Sequence, residues 1–391
     1  DPAGPGGSWP DADGDALALP DPEALDLGPP PPWREPAELD APLLGEREAV
    51  GLLSTLREEL LAELRGARLL GVRLADGASE WEIASRPSVG SGSGSGVAAS
   101  ARSRGAFLRV EAAVAEGRGA TAAVELAARS ARSFDARAVG RRLADRLAVA
   151  ARGSAPERDR GELVLAPPVA ARLLAGLAPL FVGGHGRELA RRLEDRDGRL
   201  GSPAVTVIDD GRLPGGVLAA PIDGEGLPTA PVTLVEEGVY RQPLLPWWEE
   251  GEARRGRGRP RPSACARRPG WRDLPHPGPS HLYLAPDPDT APASLLAGVT
   301  RGYYLLDADG PPVLDWAAGR LSLPVVGFAL NRGTQGGRGT TPVAGAVLEG
   351  GIGSCLRGIA AAGRDLAFLP LAGGMVGSPT LLVTGLEIRR G

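Results

Sequence analysis

Four of the six carboxylates in the segment 201–240 are spaced so that they could act together on a substrate or a metal ion. Asp209 and Asp210 are adjacent, and Asp223 and Glu225 follow in a second acidic stretch. Paired carboxylates can act as general acid and base or can bind a divalent cation. However, Asp and Gly also dominate tight turns for purely conformational reasons. We favour the structural interpretation and keep all four residues as candidates for a substrate cleft.

The three histidines offer one candidate metal site. His185 and Glu188 are three residues apart, so they would share a face if the stretch HGRELARRLED is helical. A zinc site needs three protein ligands, and we can assign no third ligand to this pair. We therefore favour a solvated polar face and keep the pair as an alternative metal site. His276 and His281 lie in a proline-containing stretch and are expected in loops or at strand edges.

Cysteine usage gives no sign of a metal site or a disulfide framework. Cys265 and Cys355 are far apart and form no CxxC pair, which favours a reducing cytoplasm. Cys355 is expected to be a small buried residue rather than a nucleophile, because no paired His is evident. No apolar run is long enough to cross a bilayer. The chain starts at Asp1 without a signal-peptide pattern, so we expect further sequence before it.

The basic residues exclude several classes of function. All 44 of them are Arg, so neither a Walker A loop nor a pyridoxal Schiff base can form here. The net charge is −4, which gives no overall field for nucleic acid. One basic run, residues 252–268, could bind phosphate or an acidic peptide, although a disordered arginine-rich insertion is the interpretation we favour.

The segment 201–240 also resembles the signature of the TldD/TldE (PmbA) family of bacterial metallopeptidases and their metal-free partners, once called modulators of DNA gyrase. The similarity follows the motifs DD…GG, DxEG.P and L.E.GV, with G.P.LLV..L.I near the C-terminus. It covers roughly residues 46–391. The residues that carry it are Asp209, Asp210, Gly215, Gly216, Asp223, Glu225, Gly226, Pro228, Leu234, Glu236, Gly238, Val239, Gly377, Pro379, Leu381, Val383, Leu386 and Ile388.

Catalytic members of that family carry HExxxH on the helix before the signature, and a Cys near the C-terminus supplies a third zinc ligand. The equivalent helix here, PPVAARLLAGLAPLFVGG, contains neither His nor Glu. The stretch that resembles the family's Cys-Gly-Lys-Asp is Ala362, Gly363, Arg364 and Asp365. The resemblance therefore implies a chain with no catalytic residues and no cofactor of its own.

In functional terms, the resemblance implies a metal-free TldE/PmbA-like subunit whose TldD-like partner subunit binds zinc. The complex would cleave short or unfolded peptides, and this subunit would supply cleft walls and strand edges. Arg267 and Arg268 resemble an Arg pair near the family's cleft and could contact a peptide carboxylate. Two alternatives stay open: a stand-alone hydrolase with a divergent site at His185 and Glu188, and a non-enzymatic regulator that binds a protein. Neither nucleic acid nor a membrane is an expected partner.

The elements that must position these residues form an α+β fold. A length of 391 residues favours two domains. We expect an irregular Pro/Gly-rich segment at 1–45, an N-terminal α+β domain at 46–155 and a β-rich C-terminal domain at 161–391.

Hydrophobic periodicity predicts helices that start near Glu46, Phe134 and Pro167. ARLLGVRL and SEWEIAS are predicted to pair as a hairpin around Asp76-Gly77, because Asp-Gly suits a tight turn. A mobile Gly/Ser loop should follow from Ser88. Beyond residue 200, short apolar strands dominate. Trp247 and Trp248 are predicted either as anchors of a partner interface or as local core.

Overall fold

The computed structural model describes most of the chain. Several predicted features lie outside the described part. These are residues 1–32, the Gly/Ser loop 88–97, Trp247 and Trp248, and residues 252–262 of the basic run. The described ranges are 33–64, 66–84, 98–114, 119–156, 159–246, 263–268, 270, 272–332 and 338–391.

Six α-helices lie within these ranges, and the predicted helices are confirmed. The second helix starts at a clear cap, since the Asp135 carboxylate accepts the N–H groups of Arg137 and Ala138 at 3.0 and 3.1 Å. The third helix has proline in its first turn, where a missing N–H costs nothing. The helices are α1 (Glu46–Glu63), α2 (Ala136–Arg152), α3 (Pro167–Leu177), α4 (Gly183–Leu193), α5 (Pro292–Gly298) and α6 (Ile352–Arg357).

The first sheet is antiparallel and has the order β1-β2-β3. Its strands are β1 (Ala67–Ala84), β2 (Ala98–Val114) and β3 (Thr121–Ala128). Helices α1 and α2 pack together with this sheet around an apolar core. The largest fully buried side chains of that core are Leu56, Leu60, Leu108, Leu143 and Leu147.

The hairpin predicted around Asp76-Gly77 is wrong, because both residues lie inside the continuous strand β1. Gly77 pairs with Gly105 of β2 and has no positive φ, so the chain does not turn there. The Asp76 carboxylate instead receives the Leu44 N–H at 2.8 Å and the guanidinium of buried Arg104 at 3.1 Å. A tertiary ion pair has thus overridden the local turn preference of Asp-Gly.

The rest of the chain forms three further sheets. Six strands have the order β16-β17-β10-β5-β6-β7, and a larger sheet has the order β15-β18-β4-β11-β13-β14-β19 with β12 beside β13. Strands β8 and β9 form a separate pair. The bounds are β4 (Glu162–Leu165), β5 (Val207–Asp210), β6 (Pro231–Glu236), β7 (Val239–Tyr240), β8 (Ala266–Arg267), β9 (His276–Pro277), β10 (His281–Leu284), β11 (Arg301–Ala308), β12 (Val313–Asp315), β13 (Arg320–Arg332), β14 (Arg338–Gly351), β15 (Ile359–Ala362), β16 (Ala367–Leu371), β17 (Gly374–Ser378), β18 (Leu381–Val383) and β19 (Glu387–Arg390).

Helix α3 contacts strands of both large sheets: β16 and β17 of the six-stranded sheet and β11 of the larger one. A single apolar cluster runs through this region and includes Leu174 and Phe181. A smaller cluster of Val149, Val326 and Ala344 joins α2 to β13 and β14. The predicted α+β fold class is confirmed, whereas the domain boundaries at 46–155 and 161–391 stay a prediction.

Candidate functional site

The signature carboxylates lie around β5, in the middle of the six-stranded sheet. Strand β5 ends in Asp209 and Asp210, and it pairs with β10 on one side and β6 on the other. The turn that carries Asp223 and Glu225 packs against β8, because the Gly224 N–H donates to the Ala266 carbonyl at 2.8 Å. We refer to Asp209, Asp210 and Asp223 as the signature acidic cluster.

Asp209 is 2% exposed and accepts the Ser280 N–H at 2.8 Å. Burial raises the pKa of its carboxyl to about 7, although the bond from Ser280 and the charge of Arg267 act in the opposite direction. The same burial lowers the pKa of Arg267, whose Nη1 lies 3.5 Å from the Pro279 carbonyl oxygen. This carboxylate is therefore a buried structural group with a backbone partner and a cation nearby.

Asp210 links β5 to a buried histidine that the sequence did not identify. Its side chain accepts the Arg212 N–H at 2.8 Å, and its backbone oxygen lies 2.9 Å from His281 Nδ1. Nε2 of His281 lies 3.3 Å from the Leu218 N–H, so Nδ1 carries the proton and Nε2 accepts. His281 is 1% exposed, and burial lowers its pKa to about 4. It is thus a neutral brace between two backbone segments.

The expectation that His281 lies in a loop or at a strand edge is wrong. The residue begins β10, which lies between β5 and β17 inside the sheet. The apolar run HLYLA is the signal that could have identified a buried strand at this position. His276, by contrast, is exposed in the short strand β9.

Asp223 closes its own turn. Oδ1 accepts the N–H groups of Glu225 and Leu227, both at 2.9 Å, and Oδ2 accepts the Ala266 N–H at 3.0 Å. Burial raises the pKa of the Asp223 carboxyl to about 6 against these bonds. Glu225 is half-buried at the rim of the turn. The geometry supports a structural role for Asp223, and contact of either residue with a substrate stays a prediction.

The two arginines predicted to contact a peptide flank this turn on β8 and just after it. Arg267 is half-buried beside Asp209, whereas Arg268 is exposed. The Arg268 guanidinium donates to the Gly224 carbonyl at 3.3 Å and to the Asp273 carbonyl at 2.7 Å. The structure therefore brings the candidate residues of the signature together, but it ties both arginines to backbone oxygens of the same region.

The alternative metal pair lies outside this cluster, on α4. His185 Nδ1 and Glu188 Oε2 are 4.0 Å apart, and both side chains are exposed. Glu188 also receives Arg192 at 2.5 Å, one helical turn further on. Within the described ranges, no group of three or more His, Cys, Asp and Glu side chains could hold a metal ion. These contacts favour the solvated polar face over a zinc site.

The helix that resembles the family's zinc-binding helix does not fit a metal ion. Val169, Leu173 and Leu174 of α3 are buried in the apolar core. A Cβ on Gly176 would lie 2.5 Å from Pro312, so a longer side chain has no room at that position. Apart from the cationic Arg172, the side chains of α3 are hydrocarbon, and zinc requires neutral or anionic nitrogen, sulfur or oxygen ligands.

The stretch Ala362–Asp365 also lacks the thiol ligand, and its one carboxylate is used in a structural turn. Ala362 is buried, and the Asp365 carboxylate accepts the N–H and the hydroxyl of Thr380 at 2.9 and 2.7 Å. Neither cysteine of the chain replaces the missing zinc-binding thiol. Cys355 is buried in α6 as predicted, and burial raises its pKa to about 12, while the pKa of buried Cys265 is also raised.

The described chain thus combines two mixed sheets, a helix pair on a three-stranded sheet, and an acidic signature braced by backbone N–H groups. Residues 158–390 match the family model of the PmbA/TldA metallopeptidase C-terminal domain. That segment is more than half of the chain, so the chain belongs to the PmbA/TldD metallopeptidase family. No individually curated protein matches it at a significant level.

Three solved structures share this fold. TldE from Thermococcus kodakarensis has a TM-score of 0.73 at 17% identity, over 95% of this chain and 81% of that one. A proposed DNA gyrase modulator from Thermotoga maritima has a TM-score of 0.70 at 19% identity, over 88% and 74%. Another, from Bacteroides thetaiotaomicron, has a TM-score of 0.70 at 17% identity, over 96% and 78%. At such identities the likeness shows the fold alone.

The described part of the chain contains no helix that is long and apolar enough to span a membrane.

Proposed function

We propose that this chain is the metal-free, TldE/PmbA-like subunit of a heteromeric zinc metallopeptidase that cleaves short or unfolded peptides, in peptide maturation or turnover. One observation carries the proposal: α3 has neither His nor Glu, and Ala362 stands where the family's catalytic members have the Cys ligand. The buried side chains of α3 pack into the apolar core instead. A chain with this helix needs a partner to supply the metal.

The partner in this proposal is a TldD-like subunit that carries HExxxH and binds the zinc. The chain described here contributes walls and unpaired strand edges to the shared cleft, and extended peptides can add to such edges through main-chain hydrogen bonds. The proposed site of action is the cytoplasm, where peptides of this kind and free thiols such as Cys265 and Cys355 coexist.

The test is co-expression of the chain with a TldD-like subunit encoded nearby, followed by digestion of unstructured peptides. We expect the two subunits to purify as one complex, and we expect cleavage by the complex but not by this chain alone. Replacing the first His of the partner's HExxxH by Ala should abolish cleavage, since that change removes a zinc ligand. Cleavage by this chain alone would contradict the proposal.

Metal analysis of the purified chain separates the remaining possibilities. We expect far less than one zinc ion per chain after purification without chelators. Stoichiometric zinc that is lost in the variant His185→Ala would establish the stand-alone hydrolase instead. A stable complex with a target protein and no peptidase activity in any combination would favour the non-enzymatic regulator.

A further inference from the structure

A cavity of about 290 Å³ lies between α2 and the strands β11 and β16, next to the first turn of α3. Its volume is near the lower end of the range for small-molecule sites, so it can admit one side chain or one terminal residue. Tyr304, Leu306 and Phe368 form apolar walls, and Arg142 and Arg146 of α2 form the charged side. The cavity is distinct from the signature acidic cluster.

Two arginines converge beside this cavity on the buried carboxylate of Asp307, and a third arginine lies near them. We refer to Arg142, Arg146 and Arg172 as the arginine cluster. Arg146 Nε lies 3.0 Å from Asp307, and Arg172 Nε lies 4.0 Å from it. The Asp307 carboxylate is also occupied by the Ala308 N–H at 2.7 Å and is itself 3% exposed. Arg146 and Arg172 thus share the negative charge of Asp307.

Arg142 has no hydrogen bond and no ion pair with any described residue, although it lines the cavity and is half-buried. Burial is the largest cause that lowers its pKa, and the neighbouring Arg146 and Arg172 lower it further, with only Asp307 acting against them. Its nitrogen atoms are not among the fully buried ones that lack a hydrogen-bond partner, so the guanidinium is open to the cavity and is not sealed in the core. Its free donors therefore mark a place for an anion.

The surrounding charges select the kind of anion. Asp145 is exposed on α2 beside the cavity, and Asp309 lies 3.6 Å from Arg146 with its side chain 56% exposed. Both carboxylates would repel a dianionic phosphate more strongly than a singly charged carboxylate. A carboxylate also matches the planar fork of a guanidinium through two parallel hydrogen bonds.

The walls favour a peptide over a free small acid. Strand β16 supplies Ala367, Phe368 and Leu369 to the cavity. Its only hydrogen-bonded strand within the described residues is β17, and β3 of the first sheet also lies against it. An extended peptide can add to a strand with a single hydrogen-bonded neighbour, and an apolar last side chain can contact Phe368. The first turn of α3 offers no competing donors, because Pro167 and Pro168 lack an N–H and Val169 donates to Ala166.

On these grounds we propose that the cavity binds the C-terminal carboxylate of a peptide whose last residue is apolar, with Arg142 as the group that pairs with the carboxylate. The inference rests on the proposed function for the peptide nature of the ligand. It assigns this subunit a role in substrate choice, since it would select free peptide ends over internal segments.

The test uses isothermal titration calorimetry on the purified full chain with two N-acetylated tetrapeptides that end in leucine. One has a free C-terminal acid and the other a C-terminal amide. We expect the acid to bind at least about tenfold more tightly, because charge-assisted hydrogen bonds are about twice as strong as neutral ones. We expect Arg142→Met to lose this preference and Arg142→Lys to retain only part of it.

The matched control is Arg137→Met, which removes an exposed arginine from the same helix. It should bind both peptides as the parent chain does. Circular dichroism and the unfolding midpoint of Arg142→Met must match those of Arg137→Met, so that lost binding reports the site and not the fold. Equal binding of acid and amide by the parent chain, or an intact preference in Arg142→Met, would overturn the inference.

A third ligand, 4-methylpentanoate, tests the peptide part of the inference. We expect it to bind more weakly than the peptide acid, since it makes no contact along β16. If it binds as tightly, the site takes small acids and the inference fails. Cleavage assays with the TldD-like partner keep the two proposals apart: a complex that cleaves peptide acids and amides equally well would contradict this inference and leave the proposed function standing.

Discussion

The signature acidic cluster and the arginine cluster are both groups of buried charges, but they differ in how their hydrogen bonds are met. Each carboxylate of the acidic cluster accepts a backbone N–H, and Asp223 accepts three. In the arginine cluster, Arg146 and Arg172 share Asp307, and Arg142 has no partner in the described part of the chain. Asp210 and Asp223 accept N–H groups within four residues in their own turns, and Asp209 accepts the distant Ser280 N–H. The arginines depend instead on the few acceptors that lie near them in the core.

This difference suggests that the two clusters have different tasks. The acidic cluster is complete without a ligand, so it stabilises the turns around β5. In the arginine cluster, the guanidinium N–H donors of Arg142 have no acceptor among the described residues and lie beside a cavity. A binding site for an anion requires such donors. Four measurements test whether the two clusters differ in this way.

The largest effect is expected for Asp307→Asn. The substitution leaves Arg142, Arg146 and Arg172 without a buried negative charge, and breaking a buried ion pair in this way costs about 4 kcal/mol. Urea denaturation followed by circular dichroism measures the free energy of unfolding. The control Asp289→Asn changes an exposed carboxylate and should stay within about 0.5 kcal/mol of the parent chain. Similar values for the two variants would show that Asp307 is not the anchor of the cluster.

A pH-dependent effect is expected for His281→Gln. His281 has a folded pKa of about 4 and an unfolded value of 6.5, so the unfolded chain binds more protons between these values. The stability supplied by the neutral ring is complete above pH 6.5 and is lost as the pH falls towards 4. The advantage of the parent chain over the variant should therefore shrink by about 3 kcal/mol between pH 7 and pH 4.

Comparison with the variant isolates this contribution, because Asp209 and Asp223 titrate in the parent chain and in the variant alike. Exposed His276→Gln is the control, and its unfolding free energy should follow that of the parent chain at every pH. A constant gap between the parent chain and His281→Gln would mean that the buried ring does not exclude the proton.

A smaller loss is expected for Asp223→Ala. Three backbone donors lose their acceptor, while the cost of burying the carboxyl, visible in its raised pKa of about 6, disappears. The net loss should be about 2 kcal/mol. Asp223→Asn should lose less, because one amide oxygen can still accept at the Oδ1 position. Thermal unfolding of the three chains gives the order, and an unchanged midpoint for Asp223→Ala would remove the structural role.

The smallest effect on stability is expected for Arg142→Met. The change removes an unpartnered cation and keeps a long apolar side chain, so stability should change by less than about 1 kcal/mol or rise slightly. Arg146→Met should cost clearly more, because Arg146 contacts Asp307 and the carbonyls of Ala123 and Ala308. Equal losses of unfolding free energy in urea would contradict the distinction between Arg142, which has no described acceptor, and Arg146, which has several.

Local sequence signals predicted the elements that depend on local interactions. The amphipathic patterns gave α1 and α2, the prolines gave the start of α3, and the apolar runs beyond residue 200 gave the strands. The hairpin at Asp76-Gly77 failed because β2 and Arg104 hold these residues in one long strand. The sequence around Asp76-Gly77 does not show that β2 will pair with these residues, because that contact is non-local.

The sequence alone determined the family, the α+β class and the absence of zinc ligands on α3, because each of these depends on which residue types stand at which spacing. The burial of His281 and the position of Arg142 at a cavity, with no partner among the described residues, became visible only in the tertiary structure. Burial and charge compensation depend on every element packed around a side chain, and Arg142, Arg172 and Asp307 come from three different elements. A residue's own neighbours in sequence cannot supply that information.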